Sequence, residues 1–152
     1  MKTVSQFMDE EHAILNRLWQ EFLLEDNNIE QAQALFQKFS KYLEQHIILE
    51  DTILFPRFNE HLGFNSGEGP VAVLVRDHEN IKKLLKDIEL AGEVRDLSQV
   101  ILIGDNLKRL LDKHLERESE MGYPVCDTFI TPDEWQKLVE RAYEDNGFMV
   151  FF

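Results

Sequence analysis

The sequence has little that bends or staples a chain. Glycine and proline number 7 and 4 in 152 residues, well short of the ~12% of average usage, a composition that favours long uninterrupted helices. The single cysteine, Cys126, rules out an internal disulfide. Cations are scarce too: 16 Lys and Arg stand against 29 Asp and Glu, for a formal charge of −13. That balance is the opposite of a phosphate-binding surface, so nucleic acid and anionic membranes are excluded as first partners. No run approaches the ~20 consecutive apolar residues of a membrane span. The N-terminal MKTVSQFMDEEH also lacks the apolar core of a secretory signal, which predicts a soluble, cytoplasmic protein.

What is present is enough apolar material, 43% of residues, for one domain over 1–152 with a core that needs no disulfides. Val4, Phe7, Met8, Leu15, Leu18, Trp19 and Phe22 recur at three-and-four spacing and predict a helix over 3–25. Asp26-Asn27-Asn28 reads as a turn with Asn28 as N-cap and Gln31 three residues on. Ala32, Leu35, Phe36, Phe39, Leu43, Ile47 and Leu54 then continue a second helical face, which Pro56 is expected to end or kink. Gly63 to Pro70 is the clearest loop, with Pro70 suited to the first turn of a third helix that ends near Gly92. A fourth helix is expected from about Leu97 to about Met121, with Val100, Leu107, Leu110, Leu111 and Leu115 inward and Gly104 a place for close helix contact. Thr131-Pro132-Asp133-Glu134 supplies an N-cap, a first-turn proline and a capping-box acid for a short fifth helix carrying Trp135, Leu138, Val139 and Ala142. The expected fold is all-α: an up-down-up-down four-helix bundle over about 3–121, then a C-terminal extension over about 122–152.

Four of the five histidines fall one per long helix: His12, His46, His78 and His114. Two have a glutamate one turn later, in His46-x-x-x-Glu50 and His114-x-x-x-Glu118, which puts imidazole and carboxylate on the same helix face. Each of these histidines is followed ten residues on by a proline, Pro56 or Pro124, and the spacings His12 to His46 and His78 to His114 are 34 and 36. The halves look like a duplicated helix pair whose six ligands meet at similar depth. Counting from the turn near Asn27 leaves His12 and His46 mismatched by ~6 Å at ~1.5 Å per residue, which helix tilt can absorb. Four imidazoles and two carboxylates suit iron, zinc or manganese, and are too many for a closed tetrahedral zinc site. We infer a dinuclear centre, each metal with two histidines, sharing Glu50, Glu118 and a solvent-derived oxygen.

This arrangement resembles the hemerythrin-like HHE cation-binding domains over roughly residues 5–125. The resemblance implies a four-helix bundle with a non-heme diiron centre, oxo- or hydroxo-bridged, with His12 and His46 on one iron and His78 and His114 on the other. It also implies that Glu50 and Glu118 bridge them. The chain departs from oxygen-carrying hemerythrins, which have a fifth histidine one turn from the first on the third helix; Leu74 and Lys82 stand at those positions here. His61 lies too far past His46 to fill the gap. Both irons are then left with an open position, and reversible oxygen carriage gives way to oxygen, nitric oxide or peroxide binding, redox sensing or iron handling.

Each feature also has a plainer reading. A lone histidine is more often a surface or core residue than a ligand, and it is the conjunction that argues for metal, because a metal-free core would bury four imidazoles and two acids unpaired. Glu11 and Glu79, each beside a candidate ligand, are either extra groups at the site or, as the simpler reading has it, solvated acids. Met8, Leu15, Trp19, Tyr42, Ile53, Leu74, Ile81 and Leu85 are expected as bundle core, some of them walling a dry pocket over the metals. Cys126 is expected to be buried. Ferritin-like bundles use Glu-x-x-His, a spacing absent here, and His78-Glu79 lacks the second histidine of a zinc protease. The leading expectation is a binder or sensor of a small diatomic molecule, peroxide or iron. The alternatives are a diiron enzyme of peroxide or nitric oxide chemistry or iron-cluster repair, and a metal-stabilised interaction module. The apolar end Phe148 to Phe152 is expected to pack on the bundle or, as second choice, to form a homodimer contact.

Overall fold

The computed structural model describes residues 1–25 and 27–148. Helix α1, Val4–Leu24, starts where the Thr3 side chain accepts from the Gln6 backbone and Gln6 reaches back to Thr3, a reciprocal cap. Helix α2, Ile29–Leu49, is capped as the sequence implies, Asn28 Oδ1 accepting from Gln31 N at 3.0 Å. Pro56 does not end it. The chain passes through a π-helical turn at Glu50–Leu54 into α3, Phe55–Leu62, and stops where Gly63 takes φ 78°. Helices α4, Val71–Glu93, and α5, Leu97–Arg117, follow, and α5 likewise runs through a π turn, Glu118–Gly122, into α6, Tyr123–Asp127. Helix α7, Pro132–Asn146, begins at Thr131, whose hydroxyl accepts from Glu134 N. Among the described residues there are no strands.

The two π turns answer the two prolines. In an α-helix the ring of Pro56 would collide with the carbonyl of Thr52, four residues back, and leave it without a donor; Pro124 stands in the same relation to Glu120. Widening the turn by one residue lets Phe55 N–H reach Glu50 O, and Tyr123 N–H reach Glu118 O, so the helix continues. Each π turn opens on one of the two candidate glutamates.

α1 packs on α2, α4 on α5, and α2 on α4, which closes an up-down-up-down bundle. The core is two clusters. One holds Leu15, Trp19, Phe39, Tyr42, Ile47, Ile81, Leu85, Leu107 and Leu111; the other holds Met8, Leu54, Phe55, Phe58, Leu74, Tyr123, Trp135 and Ala142, so α7 closes that end. His12 and His78 fall in the sequence between residues of one cluster and the other, which sets these candidate ligands at the junction of two apolar layers. Ile53 is only partly buried against its cluster. An alanine methyl at Gly104 would meet the Trp19 ring at 3.5 Å, ordinary contact, so that glycine is not required for the helix approach. Phe148 packs edge-on against Tyr143 at 5.5 Å. The homodimer contact expected of the tail falls chiefly on residues 149–152, outside the described residues. Among the described residues no helix is long and apolar enough to cross a membrane.

Candidate metal centre

The six predicted ligands converge. His46, Glu50, His78, His114 and Glu118 are each 2% exposed or less and His12 is 7% exposed, so the site is walled from water. The depth mismatch counted along the sequence does not keep the first pair apart: the His12 and His46 rings lie 5.2 Å from each other. Donor atoms of Glu50, His78, His114 and Glu118 form one group within 4.8 Å of one another, and those of His12, His46 and Glu118 a second.

Both carboxylates span the two histidine pairs. Glu50 Oε1 is 3.1 Å from His46 Nε2 and 3.2 Å from His78 Nε2, while Glu118 Oε1 is 3.6 Å from His12 Nε2 and 3.3 Å from His114 Nε2. Proximity does not give them hydrogen bonds. Glu50 Oε1, both oxygens of Glu118 and His46 Nδ1 are buried without a partner in hydrogen-bond geometry, a cost a folded protein keeps only where something else meets those atoms.

The far sides of two rings are held by acids. His78 Nδ1 pairs with Asp51 Oδ1 at 2.7 Å, and His114 Nδ1 with Asp77 Oδ2 at 3.0 Å; Arg117 donates to the same Asp77 oxygen at 3.1 Å. A carboxylate on Nδ1 holds the proton there and leaves Nε2 with its lone pair. The two Nε2 atoms face each other at 3.0 Å. Two imidazole lone pairs aimed at one another make poor neighbours unless a cation or a proton sits near them.

The electrostatics follow from crowding. Burial first, and then the neighbouring Glu50, push the Glu118 carboxyl up to about 8. Glu50 goes the other way: burial opposes its ionisation most strongly, but the charge on His46 together with the close contacts to Glu118, His46 and His78 outweighs it and holds the carboxyl well below its ordinary range. Burial and the adjacent His46 hold His12 down to about 3. For His114 burial pulls down, yet Glu118 and Asp77 together raise it to about 10. Without metal the cluster must share protons among groups that a cation would hold in deprotonated form.

Four other groups were not read from the sequence as site residues, or were read differently. Asp51 and Asp77 were missed. Glu11, expected to be solvated, is instead 7% exposed with Oε1 4.0 Å from His46 Nδ1. The repeated acid-histidine pairs Glu11-His12 and Asp77-His78 carried that signal, each acid facing the histidine of the next helix. Tyr123 was also missed. Its hydroxyl donates to Glu50 Oε2 at 2.7 Å and lies 2.9 Å from His12 Nε2. Glu79 is solvated as expected, paired with Lys82 at 3.1 Å, and His61 stacks on Phe129 and belongs to neither donor group. Cys126 is buried, and burial pushes its thiol up to about 12, so it stays protonated.

A family model, Hemerythrin HHE cation binding domain, matches residues 3–126. No curated protein and no solved structure matches the chain.

Proposed function

The chain belongs to the hemerythrin HHE cation-binding domain family, and from that premise we propose that its buried cluster holds two iron ions and binds or senses a small molecule such as oxygen, nitric oxide or peroxide. The proposed ligands are His12 and His46 on one side, His78 and His114 on the other, with Glu50 and Glu118 shared. The observation that carries the reading is the facing pair of Nε2 atoms on His78 and His114, 3.0 Å apart, with both Nδ1 atoms held by carboxylates and unpartnered carboxylate oxygens alongside. Donor sets of imidazole and carboxylate suit iron, as they also suit zinc and manganese.

Iron bound there supplies an exchangeable coordination position for a small ligand. The protein's own residues do the rest. Asp51 and Asp77 keep the Nδ1 protons of His78 and His114 and fix the ring directions. The apolar layers above and below, with Leu74 and Tyr123 on one side and Leu15 and Ile81 on the other, keep bulk water away. Only molecules small enough to pass a packed core can reach such a site.

Reversible change in the visible spectrum of the iron-loaded protein on adding and removing oxygen or nitric oxide, absent from His46→Ala and Glu118→Ala, is the expected result. Sustained consumption of peroxide or nitric oxide with an electron donor would replace binding by catalysis. Unfolding on chelation with no spectral response to any of the three ligands would leave a metal whose role is structural.

A further inference from the structure

The two halves of the site match in the backbone of their π turns, and the aromatic residues that end those turns differ by one oxygen. Phe55 stands five residues after Glu50, and Tyr123 five after Glu118, each at the end of its π turn with its N–H on the glutamate carbonyl. Each ring also leans on a histidine from the opposite half: Phe55 stacks on His78 at 5.5 Å and Tyr123 is tilted against His12 at 5.4 Å. Both are buried. The duplication therefore delivers an aromatic ring to each side of the cluster and a hydroxyl to only one.

That hydroxyl is inside the donor set. It lies 2.9 Å from His12 Nε2, 3.5 Å from His46 Nε2 and 2.7 Å from Glu50 Oε2. Two donors at right angles around one ion, each bonded at ~2.1 Å, stand ~3 Å apart, so these separations are those of adjacent ligand atoms. On the other side the corresponding ring has no polar atom to offer.

We propose that the phenol oxygen of Tyr123 is a ligand of the metal position formed by His12 and His46, and that the position formed by His78 and His114, faced by Phe55, is the one open to small molecules. The inference rests on the metal-centre reading above. It makes the two metal positions unequal and assigns the exchangeable one to the Asp51 and Asp77 side. On binding, the O–H proton now donated to Glu50 passes to solvent and the oxygen binds as phenolate.

The test loads wild type, Tyr123→Phe and Phe55→Tyr with ferric iron, measures iron per chain, and records visible and resonance Raman spectra with and without azide as an anionic probe. Wild type is expected to show phenolate-to-iron charge transfer with enhanced tyrosinate modes and to bind azide. Tyr123→Phe keeps its iron and loses the phenolate signature. Phe55→Tyr adds a second phenolate and loses azide binding at the filled position. An iron-loaded wild type with no phenolate modes, or a spectrum unchanged in Tyr123→Phe, overturns the inference and leaves Tyr123 as a hydrogen-bond donor to Glu50 while the metal reading stands. Failure of all three proteins to take up iron overturns both.

Discussion

Asp77 Oδ2 lies 3.0 Å from Nδ1 of His114, a residue on the next helix, and receives Arg117 at 3.1 Å on the same oxygen. The aspartate is thus fixed by a cation on one side while it fixes an imidazole on the other. Asp77→Asn keeps the shape but weakens the hold on the Nδ1 proton. Affinity for the metal is expected to fall by about 10–100-fold, read by competition with a chelator. Unchanged affinity would remove Asp77 from the account.

Glu11 and Glu79, each next to a candidate ligand histidine in sequence, should behave differently. Glu11 is buried toward His46, whereas Glu79 is exposed and paired with Lys82. Glu11→Gln is expected to lower metal retention on dialysis, and Glu79→Gln to leave it at the wild-type level. Equal losses would mean that general acidity near the helices, rather than the contact with His46, matters.

The metal-free protein should lose stability as pH rises above the ordinary histidine range. Glu118 is raised to about 8 and His114 to about 10 in the fold. A group raised in the folded state contributes stability that is full below its unfolded pKa and lost as pH climbs through the folded one. The Glu118 loss therefore runs from about 4.5 to about 8 and the His114 loss from about 6.5 to about 10, so the two overlap between about 6.5 and 8. His12, held down to about 3, acts on the other flank, losing its contribution as pH falls from about 6.5. Urea midpoints of chelated protein should decline from neutral pH to pH 9, and metal should flatten that decline. Glu118→Gln, which has no charge to bury, is expected to be more stable than wild type at pH 9 when metal-free and to retain less metal. A flat profile for chelated wild type would contradict the proton-sharing picture.

The layers on either side of the cluster should be separable from the ligands. Phe39 is fully buried in the layer that also holds Trp19 and Phe36, its ring 5.0 Å from that of Trp19. Phe39→Ala is expected to cost about 3–5 kcal/mol of unfolding free energy, measured with metal removed, while the folded fraction still takes up metal in wild-type proportion. Loss of metal at full foldedness would place Phe39 nearer the site than the structure has it.

The bundle and its six candidate ligands were legible because both rest on spacing. Apolar residues three and four apart define the buried faces, and an imidazole and a carboxylate four apart must share one. The path of the chain through Pro56 and Pro124 was not legible, because a proline in a helix announces a disturbance without saying which form it takes. Termination, a kink and a π turn all relieve the same clash, and here the wider turn keeps the helix going. Asp51, Asp77 and Tyr123 were hidden for a related reason. Each meets its partner across helices, and such a pairing depends on rotation about the helix axis, which no count along one chain supplies. The acid-histidine repeat at Glu11-His12 and Asp77-His78 was the one local trace of it.

Metal content decides whether the buried cluster is a diiron centre. Protein expressed in iron-replete medium, analysed for all transition metals beside His46→Ala and Glu118→Ala, should carry about two iron ions per chain and lose them in both variants. Little iron in wild type, or iron that survives both substitutions, would contradict a diiron centre built from His12, His46, Glu50, His78, His114 and Glu118.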